Sequence, residues 1–234
     1  MASVTRRAFT TAVLTLLAHR TLVATDRTEV SGAGMNGIEL PAPSVTGGAP
    51  LNETISTRRS VREFRAASLR LEEVSQLLWA MQGVTSTGGF RAPPSAGALY
   101  PLEVHLAVGA VDGLAEGIYA YVPASHRLVA GPSGDKRRAL AAAAFGQHWV
   151  ADSGAVLMIS AVYERTMSKY GRRGIRYVHM EAGHAAHGAL LSATAQGIGA
   201  TPVGAFDDAA IAEIAGYAGE QQPLYLIALG RCVR

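Results

Sequence analysis

Residues 52–234 show two hydrophobic periodicities, which predict a mixture of helices and strands. Apolar side chains recur every three or four positions in residues 71–81, as on one face of an amphipathic helix, and the pattern stops at Gly83. Three more segments favour helices, two because an aspartate stands at the start and one because small residues line one side. The predicted helices are residues 71–81, 135–145, 176–196 and 207–215.

Strands are predicted where polar and apolar residues alternate, or where a short apolar run stands between turns. One segment alternates, two are continuous apolar runs that are typical of buried strands, and two more favour a hairpin. The alternating segment is residues 103–109, the apolar runs are residues 155–162 and 223–229, and the hairpin strands are residues 117–122 and 127–130.

The composition is ordinary for a globular core and excludes disordered and fibrous proteins. The chain has 234 residues, of which 49% are hydrophobic and 17% are charged. Its formal net charge is +3, but +2 of this falls within the first thirty residues, so the remainder lacks a general nucleic-acid footprint. The single cysteine, Cys232, cannot form a disulfide within the chain.

Residues 1–30 have the layout of an export signal. Arg6 and Arg7 precede a short apolar run, and the stretch TRRAF resembles the twin-arginine signal that carries folded proteins across the inner membrane. An ordinary secretory signal or a basic amphipathic tail is the alternative. The apolar run, residues 12–18, is far shorter than the ~20 residues of a membrane-spanning helix. We expect an exported protein, periplasmic or extracellular, without a membrane span, and a cytoplasmic one if the signal is not used.

The domain organisation follows from these segments. Residues 31–51 are rich in glycine, proline and small residues, and they predict an extended lead-in after the signal. Residues 52–234 show no internal repeat and no linker. They are predicted to form one α+β domain.

Residues 91–101, RAPPSAGALYP, can form neither a helix nor an interior strand, because three prolines interrupt them. The stretch predicts a stiff loop of small residues. Such a loop either turns a tight corner or lets the backbone approach something flat or charged that larger side chains would keep away.

The stretch STRRSVREF, residues 56–64, favours an anion site. Arg58, Arg59 and Ser60 place two bidentate cations and a hydroxyl within three residues, which suits a phosphate. Arg231, directly after the last predicted strand, offers another cation to the same group. The alternative is a solvated basic turn.

Four ordered motifs give a more specific resemblance. RRSVREF, LLWAMQGVT, PSAGALYPLE and the long stretch from SKYGRRG to TPVGAFDD are similar to the FMN-dependent nitroreductase superfamily. They resemble in particular its SagB-type dehydrogenase branch, which includes thiazole- and oxazole-forming oxidases. The resemblance extends from residue 38 to the end of the sequence. It implies a nitroreductase-like fold, a central mostly antiparallel sheet flanked by helices, and a homodimer with FMN at its interface.

The resemblance also implies which residues contact FMN. In such proteins the Pro-Ser loop lies against the isoalloxazine and ribityl, often from the partner subunit, and a backbone N–H near Gly204 or Ala205 meets flavin N5. Arg62 would lie beside N1 and O2, where a fixed cation stabilises the reduced ring. The implied contacts are Arg58, Arg59, Ser60, Arg62, Pro94, Ser95, Ala96, Gly97, Val203, Gly204, Ala205 and Arg231.

Lys169 and Tyr170 in SKYG match the Lys-Tyr pair that azoline-oxidising members use near the flavin. A lysine acts as a base only if burial or neighbouring cations lower its pKa, and Arg165, Arg172 and Arg173 are candidates for that. The alternative is a solvated basic surface with interspersed tyrosines.

Three functions remain open on this reading. The first is an NAD(P)H-dependent reductase of nitroaromatics or quinones, and the second is a SagB-like dehydrogenase that oxidises a heterocycle, free or within a peptide. Lys169-Tyr170 and the form PSAGALYP favour the second. The third is a flavin-binding protein without turnover. Glu181, His184 and His187 lie on one helix stripe, but a metal site needs a second such helix, so we expect no metal.

Overall fold

The computed structural model describes residues 37–233, in which eight strands form a single sheet. Two of these strands are only two residues long, and the longest has eleven. The strands are β1 (Ile38–Glu39), β2 (Phe64–Arg65), β3 (Leu102–Val108), β4 (Gly117–Val122), β5 (Arg127–Ser133), β6 (Ala155–Ala161), β7 (Ile198–Val203) and β8 (Gln222–Cys232).

The helices pack on both faces of this sheet. Within residues 37–233, no helix is both long and apolar enough to cross a membrane. The helices are α1 (Leu51–Thr57), α2 (Leu71–Gln82), α3 (Arg137–Ala143), α4 (His148–Asp152), α5 (Glu164–Tyr170), α6 (Arg173–Ala195) and α7 (Asp208–Ala215), and a single 3₁₀ turn covers Ala96–Ala98.

All pairs of these strands are antiparallel, which confirms the predicted α+β class and the mostly antiparallel sheet. The order is β1-β5-β4-β3-β6-β8-β2, and β7 pairs with the other side of β8. The strands β3 and β8 begin at one end of the sheet, and β6 and β7 finish at that same end. We call it the loop end, because residues 91–101 lead into it.

The sheet separates two hydrophobic cores. On one face α2 and α6 contribute fully buried side chains such as Leu77 and Val178. On the other face α3 and α7 contribute Leu140 and Ile211. Every residue of β6 is buried, because helices cover both of its faces, and this explains its continuous apolar sequence.

The predicted helices at residues 71–81, 176–196 and 207–215 correspond to α2, α6 and α7 within a few residues. The predicted helix at residues 135–145 is shorter and begins at Arg137, because the Asp135 carboxylate accepts the Arg137 backbone N–H at 3.0 Å. The helices α1, α4 and α5 and the strands β1, β2 and β7 are additional. α1 has no apolar stripe that faces the core, since its one buried residue is Thr54, and β7 contains Gly199 and Pro202.

The described part of the lead-in runs across α2 and is fixed to it. The Pro41 carbonyl accepts a hydrogen bond from Ser75 Oγ at 2.5 Å. Ser44 exchanges two hydrogen bonds with Gln76, at 2.8 and 3.1 Å. The predicted export signal at residues 1–30 lies outside the described residues.

Glu73, near the start of α2, connects that helix to the end of β8. Its carboxylate forms a bidentate ion pair with Arg231, at 2.6 and 2.9 Å, and accepts the Arg70 backbone N–H at 2.8 Å. Arg231 Nε donates to the Ser68 carbonyl at 3.1 Å. Burial acts to raise the pKa of Glu73, but the hydrogen bonds from Arg231 and Arg70 outweigh it and hold this pKa below its ordinary value.

We expect Glu73→Ala to lower the free energy of unfolding by about 3 kcal/mol, because it leaves the mostly buried guanidinium of Arg231 without its partner. Equilibrium unfolding in urea measures this loss. Glu72→Ala is the matched control, since Glu72 is the exposed neighbour on the same turn, and its effect should be within about 0.5 kcal/mol. A loss that small for Glu73→Ala would contradict a stabilising ion pair.

His105 in β3 is held in a mostly apolar environment. Its ring packs on Tyr217 with 4.8 Å between centroids, and its Nδ1 has no hydrogen-bond partner among residues 37–233. Burial lowers the pKa of His105 to about 4, so the imidazole is neutral at physiological pH.

Stability should therefore fall as the pH decreases from 6.5 towards about 4, because the unfolded chain binds a proton at His105 that the folded chain does not. The contribution is fully present above pH 6.5, and its complete loss amounts to roughly 3 kcal/mol. Urea unfolding across this pH range measures it. His105→Phe should flatten the dependence, whereas an unchanged slope would show that His105 is not its source.

Candidate active site

The loop at residues 91–101 is fixed at both ends. The Ala92 N–H donates to the Gly83 carbonyl at 2.9 Å, and the Val162 N–H donates to the Pro101 carbonyl at 2.9 Å. The loop therefore starts beside the end of α2 and finishes at Pro101, directly before β3. It reaches the sheet at the loop end.

Within this loop Ser95 organises the backbone. Its carbonyl accepts the Ala98 N–H at 3.1 Å, and its Oγ accepts the Tyr100 N–H at 2.9 Å. Gly97, Ala98 and Tyr100 all have left-handed backbone angles, with φ of 65°, 54° and 47°. For the two residues with side chains this conformation is strained, by roughly 1–2 kcal/mol each.

Lys169 and Tyr170, at the end of α5, lie directly against Gly97. A Cβ atom on Gly97 would be 2.9 Å from the Tyr170 hydroxyl and 3.0 Å from Lys169 Nζ. Lys169 is exposed, and Tyr170 packs edge-on against Tyr177 with 5.2 Å between ring centroids. The fold thus brings the SKYG motif into contact with the loop at residues 91–101.

Of the three arginines considered as neighbours of Lys169, Arg165 has a partner of its own. Its Nη1 forms an ion pair with Glu103 at 2.6 Å and donates to the Tyr100 carbonyl at 3.2 Å. Its positive charge therefore supports the loop and is partly neutralised. The structure gives no carboxylate partner, among residues 37–233, to Arg172 or Arg173.

Glu181 on α6 lies beneath the loop and is 2% exposed. Burial raises the pKa of its carboxyl group, while the Ser95 hydroxyl, the Ala96 N–H and the charge of Arg91 act in the opposite direction. These donors are close, but neither carboxylate oxygen has a hydrogen bond of good geometry within the described residues. His184 and His187 are exposed, and residues 37–233 contain no group of three His, Cys, Asp or Glu side chains placed to hold a metal.

Residues 56–64, which we call the phosphate segment, meet β7 on the side away from β8. Ser60 forms a parallel bridge with Ala200, and the Val61 N–H donates to the Ala200 carbonyl at 3.0 Å. Arg59 folds back, and its Nη1 donates to the carbonyls of Ser56 and Arg58 at 2.9 and 2.8 Å.

The two adjacent arginines therefore differ in their roles. Arg59 satisfies carbonyl groups at the end of α1, whereas Arg58 has no ion-pair partner among residues 37–233. Arg231, the other candidate cation for a phosphate, uses its guanidinium on Glu73 and Ser68. Its contribution to a bound phosphate stays a prediction.

The remaining candidate contacts lie at the other end of the same segment and at the end of β7. The guanidinium of Arg62 is 5.4 Å from the centre of the Trp149 ring. Gly204 and Ala205 follow Val203 and are exposed, and their backbone N–H groups donate to no acceptor within residues 37–233. A Cβ on Gly204 would meet only the Tyr225 ring, at 3.6 Å, so the space in front of this backbone is open.

The loop and the phosphate segment are far apart within one chain. β6, β8 and β7 lie between β3 and Ser60, which amounts to four strand spacings or roughly 19 Å. Along α6, the distance from Glu181, beneath the loop, to Ala195, which precedes β7, is roughly 21 Å.

Comparisons with known proteins identify the family and support the fold. Residues 55–231 match the Nitroreductase family. A protein of Methanocaldococcus jannaschii, named as a nitroreductase, is 45% identical over 181 residues, which cover 77% of this chain and 90% of the relative. A nitroreductase crystal structure from Ralstonia eutropha superposes with a TM-score of 0.75 at 29% identity, over 87% of this chain and 92% of that chain.

Two more distant structures share the fold. The E. coli microcin synthetase McbBCD complex, with truncated pro-MccB17 bound, has a TM-score of 0.63 at 22% identity, over 86% of this chain and 80% of that chain. The NADPH:FMN oxidoreductase of Vibrio harveyi, complexed with NAD+, has a TM-score of 0.58 at 20% identity, over 79% and 69% of the two chains.

The family match and the relative at 45% identity define an oxidoreductase. The chain belongs to the nitroreductase family. This confirms the broader part of the resemblance found in the sequence.

Gly97→Ala should destabilise the protein more than Gly89→Ala. Both glycines have left-handed φ angles, 65° and 76°, so each substitution adds a strain of roughly 1 kcal/mol. At Gly97 the new Cβ also meets Tyr170 and Lys169, whereas nothing lies within 4 Å of one at Gly89. Thermal unfolding of both variants measures the difference, and equal losses would argue against a tight contact at Gly97.

Proposed function

We propose that the protein is an FMN-dependent oxidoreductase of the SagB-type dehydrogenase branch, which oxidises a heterocycle or another C–N bond. The observation that supports this best is the contact of Lys169 and Tyr170 with Gly97. It places a candidate base beside the loop that is expected to lie on the flavin. A plain nitroreductase has no evident need for a base at this point.

The residues of the site fit FMN. Arg58 offers a cation without an ion-pair partner among the described residues, and Ser60 offers a hydroxyl beside it. The N–H groups of Gly204 and Ala205 are exposed and open to an acceptor. When bound, FMN supplies hydride transfer at N5 and passes the electron pair to a second substrate.

The protein's own side chains would direct the proton and the charge. Lys169 Nζ would accept the proton that the substrate loses on oxidation. An acceptor such as oxygen would take up the two electrons in turn. Tyr170 limits the positions that the lysine amine can adopt, since its ring lies 5.5 Å from Nζ. Arg62 would keep a positive charge available to stabilise a reduced flavin.

A second copy of the chain would complete the site. The loop and the phosphate segment of one chain are roughly 20 Å apart, so one ring cannot lie against both at close range. In a homodimer, the loop of one subunit can meet the phosphate segment of the other. We propose this shared arrangement for the FMN of this protein.

A specific observation also favours NAD(P)H-dependent reduction of nitro compounds or quinones. The relative at 45% identity and the structure at 29% identity are both named as nitroreductases. The export signal proposed for residues 1–30 argues against both functions, because nicotinamide donors are scarce outside the cytoplasm and peptide maturation is usually cytoplasmic. The two functions differ in whether Lys169 is required.

Lys169→Ala should retain the flavin absorbance spectrum and lose at least 100-fold in the rate of oxidation of a thiazoline-containing dipeptide, because the proton acceptor is gone. Stopped-flow absorbance of the anaerobic holoprotein measures flavin bleaching. Lys136→Ala, which removes the chain's other lysine, should behave as wild type.

Three outcomes would contradict the proposal. If NADH bleaches the flavin and the dipeptide does not, the reductase function is correct. If neither donor bleaches a bound flavin, the chain is a flavin-binding protein without this chemistry. Absence of flavin from the purified protein would overturn the assignment of Arg58, Ser60 and Ser95.

A further inference from the structure

We propose that Gln147 and Trp149 are positioning residues for the flavin, because they fix two separate groups that would contact it. This inference depends on the proposed function. Both residues lie in residues 144–149, which run from the end of α3 into the first turn of α4 and which we call the α3–α4 connector. No motif in the sequence marks them.

Trp149 orients Arg62 without cancelling its charge. The guanidinium lies 5.4 Å from the centre of the indole ring, and Arg62 forms no ion pair with a carboxylate within residues 37–233. A free arginine side chain loses rotamer entropy when it is held in one position, so an exposed arginine needs a contact to stay there. A carboxylate would supply the contact and neutralise the cation, whereas an aromatic face supplies it and leaves the positive charge available.

The indole N–H of Trp149 does not explain why a tryptophan stands here. Its Nε1 is buried and has no acceptor within the described residues. Burying a donor without a partner is unfavourable, and a leucine or phenylalanine would fill the space without that penalty. The feature of tryptophan that the structure uses is its ring face, which binds cations more strongly than the other aromatic side chains.

Gln147 fixes the loop that carries the candidate N5 donors. Its Nε2 donates to the Ala205 carbonyl and to the Ala144 carbonyl, both at 2.9 Å. The Asp207 N–H donates to the Ala143 carbonyl at 2.9 Å, which ties the same loop to the end of α3 a second time. The backbone at residues 204–205 is therefore held from behind while its N–H groups stay exposed.

The α3–α4 connector thus joins two sequence segments that are far apart in the chain. Arg62 lies in the phosphate segment, and Ala205 follows β7. Because one short connector contacts both, it sets the distance between the cation for N1 and O2 and the donor for N5. A rigid spacing of this kind favours the reduced ring, whose negative charge lies near N1.

The test compares the binding of oxidised and reduced FMN to wild-type protein and variants, with the full chain prepared as holoprotein and then stripped of flavin. The measured quantity is the ratio of the two dissociation constants, obtained by anaerobic titration with FMN and dithionite-reduced FMN. Trp149→Leu should decrease the preference for reduced FMN about tenfold, equivalent to a decrease of about 30 mV in the midpoint potential of a two-electron couple. Trp149→Phe, which keeps a weaker aromatic face, should give a smaller decrease.

Two further variants complete the design. Gln147→Glu keeps the size of the side chain but removes the N–H donor, and it should weaken binding of both forms of FMN about tenfold. Phe145→Ala is the control, because the Phe145 side chain is 71% exposed in the same connector and forms no aromatic pair within residues 37–233. Its dissociation constants should equal those of wild type.

The outcomes separate the inference from the proposed function. A Trp149→Leu protein that binds both forms of FMN with an unchanged ratio overturns the role of Trp149, even if its affinity falls uniformly. Wild-type binding by Gln147→Glu overturns the role of Gln147. If wild-type protein binds no FMN, the proposed function fails and the inference fails with it.

Discussion

The hydrogen-bond ladder of β8 is the constraint on which the rest of the structure depends. β8 pairs with β6 and β2 along one side and with β7 along the other. β7 in turn receives the segment that contains Ser60. Every candidate contact for the phosphate and for flavin N5 is therefore placed, directly or through one neighbour, by this strand. The ion pair between Glu73 and Arg231 then fixes its far end to α2.

The site combines rigid backbone with uncompensated charge. The loop of Ser95 and Gly97 is fixed by internal hydrogen bonds and by the side chains of Lys169 and Tyr170. Arg62, in contrast, is oriented by an aromatic ring and keeps its full charge. A site for a planar cofactor that gains negative charge needs both properties, since the backbone must fit a flat ring and the charge must not be neutralised beforehand.

Much of this architecture was predictable from the sequence, and the failures have physical reasons. The segments with clear periodicity, such as α2, α6 and β6, were predicted within a few residues, because burial on one face or on both leaves a regular apolar pattern. α1 and β7 left no such pattern, because α1 buries a single threonine and β7 contains glycine and proline.

Among the candidate site residues, the sequence predicted residue types but not partners. It grouped Arg58 and Arg59, although the structure uses Arg59 at the end of α1 and pairs Arg231 with Glu73. Gln147 and Trp149 belong to no motif, and only the approach of the α3–α4 connector to β7 reveals them. Pairings between distant segments depend on topology, which local pattern does not encode.

The left-handed backbone at Ala98 and Tyr100 restricts how this loop can change during evolution. Glycine, asparagine and aspartate adopt that conformation with little strain, whereas valine, isoleucine and threonine crowd it. Sequence drift at these two positions is thus confined to a few residue types, even though both side chains lie near the surface. The backbone of the loop therefore limits which side chains it can display at these two positions, before any demand of the chemistry applies.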